Sequence, residues 1–517
     1  MTNRAAGAAL LIALLLGGLV RALPFLGGDF PLNDGGLFLV MTQDLQAAGY
    51  VVPETTGYNG LEIPFVYSPM AFYLAGIIND VFGISLLDLF RILPYVFSVA
   101  MIPAFFLVAR QLLRPSEAGI ATVAFALLPR TWEWLIMGGG ITRSLGFLLA
   151  LLAMASAIRM YREPKLRWIV ATGMLTALTA LAHPQAAVFL ALSMLVLLVS
   201  VGRSWAGLRA LVFAGVVGAV IIAPWLTVML IRHGQEPFLS GSAHAGGGVL
   251  GVILFLKLRF TGAPFMDVLG LIGFAGFAVA LAQRRWMAPA WLVLTLLVDS
   301  RGGATFAMLP MAVLVGIAVT AGLRAMQVSD SPARPLAAVQ ARPGLAAAGI
   351  GLLVMAVAMN QGVIAKDDSP VHPVSPDQRI AMQWADRELP PDSRLAVVTA
   401  EGTWEGDQVS EWLPALTGHT SAATFQGFEW LGVERSRAQL RAYDALQECG
   451  RQTATCLTDW QRDSGITADY VFVPKGALSG PQEPSDCCPA LRLTLLETGE
   501  VMYDGPGATI AVMPGGQ

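Results

Sequence analysis

Apolar residues in this chain come in long runs, separated by short polar breaks. About 20 such residues cross roughly 30 Å of hydrocarbon as a helix. Runs of this kind lie near 5–23, 89–109, 118–136, 142–158, 168–182, 185–202, 210–231, 264–282, 286–299, 304–322 and 343–360. The pattern predicts about eleven transmembrane helices. One further run, Pro69 to Ile78, covers only about 15 Å at 1.5 Å per residue, and Asn79 and Asp80 end it. An Asp at mid-bilayer costs roughly 2.5–3.5 kcal/mol. Residues 69–84 are therefore expected to lie in the interface and not to cross. The first run is read as a retained anchor, because further runs follow it without a clear cleavage site.

Beyond residue 360 the runs shorten and alternate. Ser375–Leu389 reads as a helix, with Ile380, Trp384 and Leu389 on one stripe. Leu395–Thr399, Tyr470–Pro474, Leu491–Leu496 and Thr509–Met513 read as short strands. The predicted architecture is an α-helical polytopic membrane module at 1–360, with an outer loop at 24–88, followed by a soluble α/β domain at 361–517. The second part is long enough to bury a core of its own.

Charge sets the orientation. The chain is 55% hydrophobic and 13% charged, about half the charged share of a soluble protein. Residues 1–360 hold 22 Lys+Arg and 14 Asp+Glu, whereas 361–517 hold 11 and 22. An acidic domain is a poor nucleic-acid binder. With eleven spans and 69–84 left out, 14 of the 22 basic residues before position 361, among them Arg4, Arg110, Arg159, Arg203, Arg284 and Arg324, fall in loops of one side. The positive-inside rule makes that side cytoplasmic. The amino terminus is then cytoplasmic and the acidic domain extracytoplasmic. All four cysteines, Cys449, Cys456, Cys487 and Cys488, lie in that domain. They predict disulfides in an oxidising compartment, with Cys449–Cys456 the favoured pair. Their spacing is a poor zinc pattern.

The candidate chemistry lies in the first outer loop. Residues 22–90 contain no Lys, Arg or His but seven acids, and the stretch carries Asn33-Asp34-Gly35-Gly36. Outer-face cations come from elsewhere: Arg130, Arg143, Lys257, Arg259 and Arg301. Most spans lack a central charge, which argues against a translocation path. A carboxylate takes a proton from an attacking hydroxyl, and arginines hold a phosphate through paired hydrogen bonds. The combination suits glycosyl transfer from a lipid-linked sugar phosphate, where one base suffices because the leaving phosphate needs little protonation.

The order of features resembles the GT-C membrane glycosyltransferases. The resembling residues are Asn33-Asp34-Gly35-Gly36, Tyr58-Asn59, Ile63 through Pro69, and the late turn Asp299-Ser300-Arg301. The resemblance covers about residues 1–325. It implies an inverting enzyme that takes sugar from a polyprenyl phosphate or pyrophosphate on the outer face and passes it to a glycan, lipid or protein acceptor. By position Asp34 matches the family's catalytic Asp, and Glu133 falls in the second outer loop, where some members carry another acid. Asn33-Asp34-Gly35 is not an Asp-x-Asp pair, so a divalent metal (Mg or Mn) is left open. The Trp-Trp-Asp-Tyr-Gly motif of oligosaccharyltransferases is absent, and Trp404-Glu405-Gly406-Asp407 does not match it.

The expected roles follow. Asp34 is the general base. Arg143 and Arg301 hold the donor phosphate. Asp44, Glu133, His183, Lys257 and Arg259 are candidate substrate contacts. For each there is a plainer role: helix capping for Asp34, interfacial anchoring for Glu133 and for Lys257 with Arg259, solvation for Asp44, a structural His at His183, and snorkelling for the two arginines. The rival functions are an oligosaccharyltransferase or glycan ligase, and a non-enzymatic lipid-binding or flippase-like protein.

Overall fold

The structure, a computed structural model, describes residues 3–26, 28–243, 268–298, 302–328, 343–367, 372–475 and 487–515. In chain order its first helices are α1 (Asn3–Leu26), α2 (Gly36–Ala47), α3 (Met70–Phe82), α4 (Leu86–Leu112), α5 (Pro115–Leu127), α6 (Gly140–Arg162) and α7 (Leu166–Ala182). Then come α8 (Pro184–Ser200), α9 (Trp205–His233), α10 (Glu236–Ala243), α11 (Val268–Ala282), α12 (Met287–Val298), α13 (Gly303–Val328) and α14 (Pro343–Asp367). Every apolar run of the sequence carries one of these helices. Among the described residues α1, α4, α6, α9 and α13 are long and apolar enough to cross a bilayer, and α3, α7, α8, α11 and α12 are apolar but shorter. The chain is an integral membrane protein.

One run departs from its expectation. The stretch 118–136 is not a single helix, because α5 stops at Leu127. Leu128 is extended (φ −69°, ψ 123°) ahead of Pro129, as the residue before a proline tends to be. Two short 3-10 turns follow, Pro129–Thr131 and Glu133–Leu135. They fold the chain back over the end of the bundle.

The helices pack closely. Phe105 of α4 stacks on Phe125 of α5 at 4.4 Å. A methyl group on Gly173 of α7 would sit 2.6 Å from the Ala214 carbonyl of α9, the small-residue contact by which helices approach inside a bilayer. Arg21 is fully buried. It donates to Ser98 Oγ at 3.0 Å, to the Gly17 and Ala126 carbonyls at 3.0 and 2.6 Å, and to Thr131 Oγ1 at 3.1 Å. Arg21 thereby ties α1, α4 and α5 together. Arg21→Met is expected to destabilise the protein by about 1–3 kcal/mol, since it leaves buried acceptors unpaired. Thermal unfolding of the detergent-solubilised chain measures it, and an unchanged midpoint would refute the bolt.

Loops segregate to two ends as the charge pattern divides them. At one end Arg110 donates to Asn3 at 2.9 Å, Arg162 to the Gln111 carbonyl, and Arg285 makes a two-pronged ion pair with buried Glu117 at 3.0 Å. At the other end loop 28–69, the 128–139 turn, the start of α8 and the carboxy-terminal part meet.

That last part contains α15 (Pro376–Glu388), α16 (Gln408–Thr417), α17 (Val433–Glu448), α18 (Thr455–Ser464) and α19 (Pro489–Thr498). In the outer loop β1 (Thr55–Thr56) and β2 (Ile63–Pro64) form a small antiparallel pair. The carboxy-terminal strands are β3 (Arg394–Val397), β4 (Thr420–Ser421), β5 (Tyr470–Pro474), β6 (Val501–Asp504) and β7 (Ala508–Val512). They make a mixed sheet in the order β4-β3-β5-β7-β6. Ser375 opens α15 with a capping box to Gln378. Leu491–Leu496, expected as a strand, lies instead in α19. Leu491 and Leu495 are buried while Leu493 and Leu496 are exposed, which is the helical and not the alternating period. Cys449 pairs with Cys456 as favoured, and Cys487 with Cys488.

Candidate active site

Asp34 sits where three parts of the chain converge. Its neighbours Asn33 (φ 50°) and Gly35 (φ 134°) both have left-handed backbones, a conformation a side chain resists and glycine accepts. Contacts from the carboxy-terminal part hold this turn. Asn33 N–H donates to the His372 carbonyl at 2.8 Å, Asn33 Nδ2 to the Glu405 carbonyl at 2.8 Å, and Trp412 Nε1 to the Asn33 carbonyl at 2.6 Å. Gly35 N–H donates to Glu411 Oε1 at 2.9 Å. Gly35 is the cap of α2, and neither Asn33 nor Asp34 caps that helix through its side chain.

The Asp34 side chain points the other way, toward the start of α6. Oδ1 accepts the Gly139 N–H at 2.9 Å. Oδ2 is ion-paired with Arg143 Nη2. Arg143 also donates to the Trp134 carbonyl at 3.1 Å. A methyl on Gly139 would stand 2.7 Å from Asp34 Oδ2. The Gly138-Gly139-Gly140 run thus makes room for a carboxylate. The absence of cations in 22–90 predicts an unpaired Asp34, but the partner comes from α6, more than a hundred positions away. The side chains of Asp34 and Arg143 keep 20% and 23% exposure, so a ligand can reach both.

The other candidates separate. Glu133 is buried, and one of its carboxylate oxygens has no hydrogen-bond partner among the described residues. Burial pushes its carboxyl up to about 8, while Arg130 pulls the other way. Trp132 Nε1 and Asn33 Oδ1 are likewise buried without partners there. Buried polar atoms ordinarily pair, so each of these atoms is open to a ligand or water. His183 caps α8, its Nδ1 accepting Ala186 N–H at 3.3 Å. It also lies edge-on to Tyr67 at 6.4 Å, whose hydroxyl is 3.3 Å from Thr142 Oγ1. Asp44 accepts from the Thr56 hydroxyl and from Gly57 N–H at 3.2 Å. That closes the β1 turn and not the site around Asp34. Lys257, Arg259 and Arg301 lie outside the described residues.

Glu411 and Trp412 of α16 escaped sequence reading. The signal available was an acid beside a Trp on an apolar helix, as at Glu133. Asp407, compared above with the oligosaccharyltransferase motif, is a buried cap. It accepts from Ser410 N–H at 3.1 Å and from the Tyr443 and Thr399 hydroxyls at 3.0 Å. Among the described residues the site offers a divalent cation no ready set of ligands. Both Asp34 oxygens are taken by donors, and no three Asp, Glu, His or Cys side chains converge among the described residues.

Two cavities are lined by residues other than Asp34 and Arg143. One, about 490 Å³, is apolar and lined by Val51, Met70, Tyr73, Leu178 and Trp225, with Arg232 at its edge. The other, about 710 Å³, is polar and lies between Asn59–Leu61 and helices α17 and α18, with Arg394, Arg435 and Trp460 in its wall.

No protein-family model matches the sequence, nor does any curated protein. Solved structures do match. The oligosaccharyltransferase AglB of Archaeoglobus fulgidus, in complex with an inhibitory peptide and a dolichol-phosphate, superposes with a TM-score of 0.55 at 12% identity, over 90% of this chain and 69% of that one. ArnT of Cupriavidus metallidurans bound to undecaprenyl phosphate gives 0.52 at 16% identity, over 100% and 99%. The mycobacterial arabinofuranosyltransferase AftD gives 0.51 at 17%, over 100% of this chain and 40% of that one. This chain has the GT-C fold. In this GT-C fold the first helix leads directly into the Asp34 turn, and the α/β part closes over it through α16.

Proposed function

We propose that the chain is a membrane glycosyltransferase that moves a sugar from a polyprenyl-phosphate-linked donor to an acceptor on the outer face. The observation that carries this is Asp34: a partly exposed carboxylate, oriented by a backbone N–H and facing an arginine, in the first loop of a GT-C fold. The acceptor hydroxyl gives its proton to Asp34 as its oxygen bonds to the sugar's anomeric carbon. The bond from that carbon to the phosphate breaks, and polyprenyl phosphate leaves with the electron pair. A single displacement of this kind inverts the anomeric centre.

Arg143 has two roles in this reading. In the free protein it neutralises Asp34. When the donor binds, its guanidinium turns part of its donor fork to the phosphate, which frees Asp34 Oδ2 for the acceptor proton. The apolar cavity beside α3 suits the first isoprene units, and the polar cleft at α17 and α18 suits the acceptor. Asp44, Glu133 and His183 remain candidates for substrate contact, Glu133 the strongest because of its unpaired oxygen. The clustering of Arg110, Arg162 and Arg285 at the opposite end supports a cytoplasmic amino terminus and an extracytoplasmic α/β part. The absence of the Trp-Trp-Asp-Tyr-Gly motif, together with Asp407 acting as a buried cap, favours transfer of one sugar over an oligosaccharyl block.

Arg143→Lys is expected to raise the donor KM about tenfold or more, since an ammonium cannot make the paired contact. Initial rates against a panel of polyprenyl-phosphate monosaccharides, read as released polyprenyl phosphate, test this. An unchanged KM would remove Arg143 from the phosphate site.

A further inference from the structure

We propose that Glu411, supplied by the carboxy-terminal α/β part, is a positioning residue that sets the geometry of the Asp34 turn and the charge around it. This rests on the reading of Asp34 as the base.

The geometry is specific. Glu411 is buried, and both its oxygens are committed: Oε1 accepts Gly35 N–H at 2.9 Å, and Oε2 accepts from Gln426 Nε2 at 3.1 Å. Its own carbonyl accepts the Tyr58 hydroxyl at 2.6 Å. A methyl on Gly36 would stand 2.7 Å from that same carbonyl, so the start of α2 rests directly on α16. Trp412, the next residue, holds the Asn33 carbonyl. Asp34 is therefore bracketed. Residues on each side of it are held by Glu411 and Trp412, and its side chain is held by Gly139 and Arg143. Without Glu411 the Gly35 N–H loses its acceptor, because α2 takes no side-chain cap from the turn, while Asn33 keeps its bonds to the His372 and Glu405 carbonyls.

The charge around Glu411 has a consequence. The groups facing it are Asp34 and Tyr58 from the outer loop and Glu429 from the turn Phe428–Trp430, with Arg143 on the far side of Asp34. Burial first, and then the negative charge of Asp34, push the Glu411 carboxyl up to about 8. Burial also keeps Tyr58 neutral, well above its ordinary range. Burial thus biases Glu411 toward its neutral form at neutral pH, while Asp34 is the acid that Arg143 contacts. As pH rises through that value, a second negative charge forms beside Asp34 and repels the donor phosphate.

Two measurements on the full-length protein test the assignment. The first needs no substrate: hydrogen exchange of the peptide containing Asn33–Gly36. Exchange is expected to rise at least tenfold in Glu411→Ala and to stay near wild type in Glu411→Gln, whose amide oxygen still accepts the Gly35 N–H. Unchanged exchange in Glu411→Ala, or an equal rise in both variants, overturns the proposal. The second is the pH profile of kcat/KM. Wild type is expected to lose activity with a midpoint near pH 8, and Glu411→Gln to lose that alkaline limb while keeping neutral activity within a few-fold. An alkaline limb unmoved in Glu411→Gln overturns the charge role, and this arm stands even where Glu411→Ala does not fold. Full activity in Asp34→Asn would instead remove the base assignment and leave the exchange result standing, so the two failures are distinguishable.

Discussion

Asp34→Asn is expected to lower sugar transfer by about 10²- to 10⁴-fold, the range for loss of a positioned general base, with little change in stability. The amide keeps an oxygen to accept the Gly139 N–H, so the turn retains its side-chain anchor. What it loses is the charge that pairs with Arg143. A partly exposed ion pair contributes up to about 1 kcal/mol, too little to unfold the protein. The substitution also frees Arg143, so donor binding should be retained or tightened while turnover falls. Released polyprenyl phosphate under saturating donor, together with thermal unfolding, separates the two effects. Full turnover in a folded variant would exclude Asp34 as the base.

The second large effect is expected at Trp412. Its side chain is completely buried, lies edge-on to Phe30 at 4.7 Å and donates to the Asn33 carbonyl. Truncating a buried Trp to Ala costs about 3–5 kcal/mol through lost transfer energy and the cavity left behind. Here the cavity opens between the α/β part and the loop that carries Asp34, so transfer activity should fall with stability. Trp412→Phe refills most of the space but leaves the Asn33 carbonyl without its donor, a loss of about 1–3 kcal/mol. Denaturation midpoints for the two variants should therefore rank Ala well below Phe and Phe below wild type. Equal midpoints would mean that the docking of α16 does not depend on this side chain.

The helices were legible because their signal is local. An apolar run of the right length is a property of neighbouring residues, and each run carries a helix. The break after Leu127 was missed because an apolar composition continues through Trp132 and Leu135, and only Pro129 marks the change of backbone. Leu491–Leu496 was misread for a related reason: six residues hold too few periods to separate a buried helix face from a strand. The Cys449–Cys456 pair was legible from spacing within one short stretch.

The sequence marks two members of the candidate site. Asp34 stands out in a loop without cations, and Arg143 stands out after three glycines. Nothing in either pattern says that the two meet. His183 and Asp44 stand out as polar residues at span and helix ends, but the contacts they make, His183 capping α8 and Asp44 fastening the β1 turn, do not show in the sequence. Glu411 has no sequence mark of its own beyond the Trp beside it, because its importance comes from burial against Gly35.

By itself the sequence determined that this is a membrane protein of many helices with a later α/β part, which loops share an end of the bundle, and that Asp34 is the acid to examine. These follow from hydropathy, charge and short spacing, all read within a few turns of chain. Only the tertiary structure decided that Arg143 pairs with Asp34, that the glycine run accommodates a carboxylate, and that α16 reaches back to hold the turn. Those contacts join residues far apart in the chain, and their energy depends on burial and distance, which sequence order does not encode.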